Sequence, residues 1–321
     1  MATEAERLSF IRDAGWEDYC LDHVPADFSS RTFMRLTREG GHPSSVILMD
    51  AGTDTHTDAF VHLSTLLRRL GIAAPTIYAS DIIRGLVLME DFGTENVGQL
   101  LDAGRDRSFF DAQAVSILAR IHKDFRETML GAFKTSFFNA ALFSEQAALF
   151  LDYYYPRLFR RSATVRERAL FASAWHQVLS PLDSLPRSLL LRDFMPDNMM
   201  LLPQPVMGET VGLIDFQDAG LGCIAYDLAS WCEEVRRDGG LSQMEDVVQS
   251  YCTLNNMVSF DTLLAATQVY AAQRHTRILG ILVKLNRLDH IPRVWRTLQA
   301  LLKVPALTPV RHWFLSCPPP Q

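Results

Sequence analysis

The sequence predicts an α+β chain with a smaller, β-rich first part and a larger, mainly helical second part. Three observations lead there. Short apolar runs broken by turn-forming residues fill the first third, at 21–24, 33–37, 46–49, 76–79 and 85–90, the pattern of an antiparallel meander. From about residue 96 apolar residues recur at helical spacing, over 109–125, 142–159, 165–179, 224–237, 244–255, 260–288 and 291–302. One interruption breaks the helical part: the apolar runs 189–191, 199–202 and 211–214 read as a loop leading into a hairpin. The change of character near Gly93 sets an expected boundary between residues 1–92 and residues 93–321.

Bulk properties narrow the class. At roughly 150 residues per domain, 321 residues imply two domains. A hydrophobic fraction of 48% against 21% charged supports a large core. The net charge of −6 argues against a general nucleic-acid binder. The five cysteines are odd in number, scattered and without a C-x-x-C pair, which predicts reduced thiols and a cytoplasmic setting. No basic-then-apolar leader opens the sequence, and no apolar run approaches the roughly 20 residues of a membrane span.

Individual elements follow from spacing. Residues 4–13 read as a helix with Leu8, Phe10 and Ile11 inward. Phe60, Leu63, Leu66, Leu67 and Leu70 make one face of a helix over 57–70, which Gly71 stops. His122 is a lone histidine inside a helix and is expected to pack. Tyr153, Tyr154 and Tyr155 suit core packing better than a pocket wall.

The chemistry concentrates at Asp193, Asn198 and Asp215. Asp193 and Asn198 are five residues apart in one loop, and Asp215 ends the next apolar strand. Asp and Asn are also ordinary turn residues, but their order here, strand, loop, strand and carboxylate, matches the arrangement protein kinases use for phosphoryl transfer. In that arrangement Asp193 takes the acceptor's proton, and Asn198 and Asp215 hold magnesium. The metal is required, because carboxylates beside a triphosphate repel it. Asp91-Phe92-Gly93 precedes the loop and is not the metal motif. No G-x-x-x-x-G-K-[ST], G-x-G-x-x-G, H-E-x-x-H or G-x-S-x-G is present. The turn 27–33 carries no glycine; Ser29, Ser30, Thr32 and Arg31 either meet nucleotide phosphates or form a solvated hairpin tip.

LRDFMPDN followed by GLIDFQDAGLGCIAYDLAS resembles the aminoglycoside phosphotransferase superfamily of small-molecule kinases. VILMDAG at 46–52, LVLMEDFG at 86–93, QRHTRILGILVKL at 273–285 and IPRVWRTLQALLKVPAL at 291–307 are similar to its bacterial branch of anomeric cell-wall sugar kinases. The resemblance implies a protein-kinase-like two-lobed fold, with a small antiparallel β lobe and a larger helical lobe. It also implies ATP and magnesium as cofactors and a small-molecule acceptor, with neither nucleic acid nor membrane as partner. The acceptor implied is the anomeric C1 hydroxyl of N-acetylmuramate or N-acetylglucosamine. An aminoglycoside, choline or homoserine acceptor, or a nucleotide-binding pseudokinase, are the alternatives. By the same resemblance Asp193 is the base, Asn198 and Asp215 are the metal ligands, and Met89, Glu90 and Asp91 seat adenine. Asp218 and Asp227 meet acceptor hydroxyls, although Asp227 reads equally as a helix cap. Three departures stand out: Leu191 stands where the superfamily usually carries histidine, although the sugar-kinase branch is similar to this sequence there; Met195 stands where relatives often carry histidine; and the strand 46–50 has no lysine for the phosphates. Arg31 or Arg35 is then expected to supply that charge.

Overall fold

A computed structural model describes residues 1–24, 31–53, 56–237 and 241–315. It begins with helix α1 (Glu4–Asp13), opened by a capping box between Thr3 and Glu6. Ile11 is buried and Phe10 packs beside it, but Leu8 is 46% exposed, against expectation. Arg7, one turn before Ile11, takes the inward face instead, because its guanidinium reaches Asp50 at 3.1 Å. Asp50 is fully buried and also accepts from the backbone of Ala2 and Gly52.

Next come β1 (Cys20–Val24), β2 (Thr32–Thr37) and β3 (Ser45–Asp50), then α2 (Thr57–Arg69), β4 (Ile77–Asp81) and β5 (Leu86–Glu90). The five strands form one antiparallel sheet in the order β1-β2-β3-β5-β4. Val46, Leu48, Leu86 and Leu88 from the central pair pack with Met34, Leu36, Ile11 and Trp16. A short helix α3 (Val97–Asp102) follows on a capping box of Asn96 and Gln99. At six residues it is too short to show a helical period.

Helix α4 (Arg107–Asp124) buries His122, whose ring nitrogen lies 2.7 Å from the Tyr251 hydroxyl. After β6 (Ser136–Phe138) the expected helix over 142–159 is not uniform. It runs as α5 (Ala140–Ala147), a wide π turn over Phe150–Tyr154, and α6 (Tyr155–Phe159). Pro156 has no N–H to continue the α pattern, and Tyr155 N–H reaches back to the Phe150 carbonyl instead. Tyr154 and Tyr155 are buried among Phe150, Trp295 and Trp313. Helix α7 (Val165–Leu179) and strand β7 (Arg187–Leu190) complete this stretch.

The hairpin β8 (Met199–Val206) and β9 (Glu209–Leu213) follows. Leu202 packs with Ala73 and Phe92, and Leu213 N–H donates to the Ala73 carbonyl at 2.8 Å. Strand β10 (Gly220–Cys223), which the apolar pattern does not announce, lies parallel to β6 and antiparallel to β7. Helix α8 (Ala225–Cys232) is buried at every residue and stops five residues before its predicted end, where Glu233 turns to φ −124°, ψ 69°. The remaining helices are α9 (Leu241–Leu254), α10 (Phe260–Lys284), α11 (Ile291–Leu301) and α12 (Thr308–Phe314).

The chain divides into two compact units. The first comprises residues 1–107, 128–134 and 196–219, and the second residues 108–127, 135–195 and 220–321. A single cut near Gly93 therefore does not separate them, because the β8–β9 hairpin belongs with the N-terminal sheet. Among the described residues no helix is long and apolar enough to cross a membrane. No disulfide joins Cys20, Cys223, Cys232 or Cys252.

Gly280 shows how tightly the second unit packs. A Cβ there would overlap the Leu149 carbonyl, a backbone atom that cannot swing away. Gly280→Ala is expected to cost about 1–3 kcal/mol, seen as a lowered Tm in thermal unfolding.

Candidate active site

In the first unit the hairpin brings Asn198 and Asp215 together. Pro196–Asn198 makes one tight turn, and Ile214 N–H donates to the Asn198 carbonyl at 3.0 Å. The register pairs Met199 with Leu213, so the residues just outside each strand end face each other. Asn198 Nδ2 lies 3.3 Å from Asp215 Oδ2, and Gln217 Nε2 donates to Asp215 Oδ1 at 2.7 Å. Asp215 sits at φ +60°, a left-handed conformation that costs an aspartate about 1 kcal/mol or more. Its successor Phe216 is buried and stacks on Phe60 of α2, with centroids 5.1 Å apart and planes 4° apart. That stack anchors the backbone on which Asp215 is mounted. Asp218 lies 3.4 Å from His56 Nδ1 and is partly exposed.

These donors are oxygens and an amide. Among the described residues no group of three or more His, Cys, Asp or Glu side chains is placed to hold a metal. One carboxylate and one amide oxygen, with phosphates and water filling the remaining positions, is a donor set suited to a hard cation such as magnesium.

In the second unit, Asp193 stands on a loop gripped from behind. Asp227 of α8 is fully buried; its Oδ2 accepts Leu191 N–H at 2.6 Å and its Oδ1 accepts Arg192 N–H at 2.9 Å. Both acceptor oxygens thus serve the loop backbone. The expectation that Asp227 meets acceptor hydroxyls does not hold, and neither does the capping alternative, since the N-cap of α8 is Ile224. Arg192 itself adopts φ +71°. Its carbonyl accepts Ser230 Oγ and Arg274 Nη1, each at 3.1 Å. Phe194 packs on Trp231, whose Nε1–H donates to Asp111 at 2.7 Å. Leu191 is 3% exposed, so an apolar side chain suits this position.

On the nucleotide side, Arg35 donates to both oxygens of Asp91, at 2.6 and 3.0 Å, and to the Gly93 carbonyl at 2.8 Å. The Arg35 guanidinium is thus occupied by Asp91 and not left free to meet phosphate: each neutralises the other, and together they tie β2 to the segment after β5. Glu90 N–H is taken by the Thr76 carbonyl at 2.8 Å, and its carboxylate accepts from Thr76 and Arg68. Met89 is 6% exposed and paired with Ile47 and Ile77. Arg31 precedes β2 and keeps the candidacy for phosphate charge. Ser29 and Ser30 lie outside the described residues. Gln217, His56, Ser230 and Arg274 escaped the sequence reading, because their roles depend on partners distant in sequence.

Burial pushes the Asp227 carboxyl up to about 7, with Asp193 adding to the effect, while the two amides and Arg274 pull it down. The folded value exceeds the unfolded one, near 3.8. The native state therefore keeps a proton that the unfolded chain releases between about pH 4 and 7. This contribution to stability is complete below about pH 4 and is lost as pH rises through about 7. The Tm advantage of wild type over Asp227→Asn is accordingly expected to shrink between about pH 4 and 7. A gap that widens with pH would reverse the assignment.

Residues 22–263 match the phosphotransferase enzyme family. The N-acetylmuramate/N-acetylglucosamine kinase of Pseudomonas putida is 26% identical over 88% of this chain and 82% of its own. The protein of that name from Caulobacter vibrioides is 25% identical over 97% of this chain and 95% of its own. ADP-bound aminoglycoside phosphotransferase APH(2'')-Ib superposes with a TM-score of 0.62 at 14% identity, covering 95% of this chain and 98% of that one. Plasmodium vivax ethanolamine kinase gives a TM-score of 0.60 at 12% identity, covering 90% and 83%. With an antiparallel N-terminal sheet, a helical remainder and a family match spanning most of its length, the chain belongs to the phosphotransferase enzyme family, an α+β, protein-kinase-like enzyme that phosphorylates a hydroxyl.

Proposed function

We propose that this enzyme transfers the γ-phosphate of ATP to the anomeric hydroxyl of an amino sugar of the N-acetylmuramate or N-acetylglucosamine type. The observation that carries the phosphotransfer part is the pairing of Asn198 with Asp215 on a hairpin that begins a few residues after Asp193. The amino-sugar part is supported by the shared name of its relatives across nearly whole chains. The four cysteines among the described residues, none of them in a disulfide, suit a reducing compartment, in keeping with a cytoplasmic enzyme.

In this reading Asp193 orients the acceptor hydroxyl and takes its proton as the oxygen attacks phosphorus. Asn198 and Asp215 are the side chains that hold magnesium, which when bound neutralises charge on the phosphates. Gln217 keeps the Asp215 carboxylate in one orientation, and the strained backbone at Asp215 is held by the Phe216–Phe60 stack. Residues 1–92 are assigned to the nucleotide, with Arg31 as the phosphate cation and the backbone around Met89 and Glu90 as the adenine seat. The second unit carries the base Asp193, and Asp218 of the first unit is assigned as a hydroxyl acceptor. Phosphoryl transfer asks little covalent chemistry of a protein, so positioning and charge are the whole demand.

Magnesium-dependent ATP consumption is expected with N-acetylmuramate or N-acetylglucosamine and not with aminoglycosides, choline or homoserine. Nucleotide binding without turnover on any of these would favour the pseudokinase reading, which the strand β3, lacking lysine, keeps in view. Asp193→Asn and Asp215→Ala are each expected to lower kcat at least about a hundredfold, the scale of losing a general base or a metal ligand. Wild-type turnover in either variant would remove that residue from its role.

A further inference from the structure

We propose that Arg274, in the middle of α10, is a positioning residue that holds the catalytic loop from its carbonyl side and fixes where Asp193 stands. The proposal rests on the reading of Asp193 as the base. Arg274 is 4% exposed and 82 residues from its partner in sequence. Its Nη1 donates to the Arg192 carbonyl at 3.1 Å and lies 3.2 Å from the Tyr226 hydroxyl. The Arg192 carbonyl belongs to the peptide that carries Asp193. The preceding peptide, through the Arg192 N–H, is bound by Asp227. The peptide group before the Arg192 Cα is thus held by a carboxylate on α8, and the one after it by the Ser230 hydroxyl, also on α8, together with a guanidinium on α10. Such bracing is what a non-glycine residue at φ +71° needs in order to persist.

A purely packing role would not call for this residue. An arginine buried this deeply carries a large desolvation cost. It is offset here by a carbonyl, a hydroxyl and two nearby carboxylates, Asp193 and Asp227, which interact with it electrostatically. The arrangement places one positive charge behind two negative ones at the root of the loop. Leu191 has no side-chain hydrogen-bonding group with which to brace the loop, and Arg274 does so from another helix.

The test measures kcat and KM separately, alongside Tm. Arg274→Met keeps the length and loses the donors. It is expected to fold, to lose at least about tenfold in kcat, and to keep KM for ATP and acceptor within about threefold, since the loss falls on the transition state. Arg274→Lys keeps the charge and one donor and is expected to recover part of kcat. A folded Arg274→Met with wild-type kcat, or a lysine variant no better than the methionine one, overturns the proposal. If Arg274→Met does not fold, Arg274→Lys decides: reduced kcat at unchanged KM and Tm supports positioning, and wild-type kcat overturns it. Failure of both variants to fold makes Arg274 structural and also overturns it. Asp193→Asn run in parallel separates the two ideas: if it keeps full turnover the base assignment fails, whereas its inactivity beside an active Arg274→Met sinks this inference alone.

Discussion

The second unit depends on how a carboxylate can be buried without an ion-pair partner in direct contact. Asp227 is out of water entirely, and removing a carboxylate from solvent is costly. It survives by accepting two backbone N–H groups in sequence, from Leu191 and Arg192. The same two bonds prevent that stretch of chain from choosing another path. Arg192 is thereby kept in a left-handed conformation that its side chain disfavours, and Asp193 emerges from the turn at one place. The helix that supplies Asp227 is buried on every side, so the anchor cannot move without the core of the unit moving with it.

A second, separate restraint operates in the first unit. Asp215 also has positive φ, and there the restraint is apolar. Phe216 lies flat against Phe60, both rings buried, and the hairpin closes over Ala73 and Phe92. The side chains proposed to hold magnesium, Asn198 and Asp215, sit at the hairpin's open end, where a tight turn and a strand end leave their polar groups accessible to each other. Each unit thus spends local backbone strain at the residues that carry its chemistry, one held by hydrogen bonds and the other by aromatic packing.

Charge on the nucleotide side is arranged differently from what the residue types suggest. Arg35 and Asp91 form a two-pronged ion pair that spans from β2 to the end of the hinge strand. Both are mostly out of solvent, so the pair restrains the segment at Gly93 and contributes little net field. Strand β3 carries no lysine, and Arg35 on the neighbouring strand is engaged by Asp91 and the Gly93 carbonyl.

How much of this was legible from the amino-acid order can be read residue by residue. Apolar period and turn residues were sufficient for the five-strand meander and for long helices such as α7 and α10, because those signals are local and recur over many residues. Asp193, Asn198 and Asp215 could be picked out because their chemistry lies within a short, ordered stretch. Short elements were not legible: α3, β6 and β10 span too few residues for any period to register. Nor were the identities of partners. Asp227 and Asp218 look alike as acidic residues near a metal strand, yet one is sealed under a loop and the other is half in water. Arg35 reads as a phosphate ligand until Asp91, 56 residues away, is placed against it. The sequence by itself determined which chemistry this chain carries, because that depends on side-chain types in order. The tertiary structure alone decided which charged groups face solvent and which are consumed in holding the backbone, because burial and hydrogen-bond pairing depend on residues that meet only once the chain has folded.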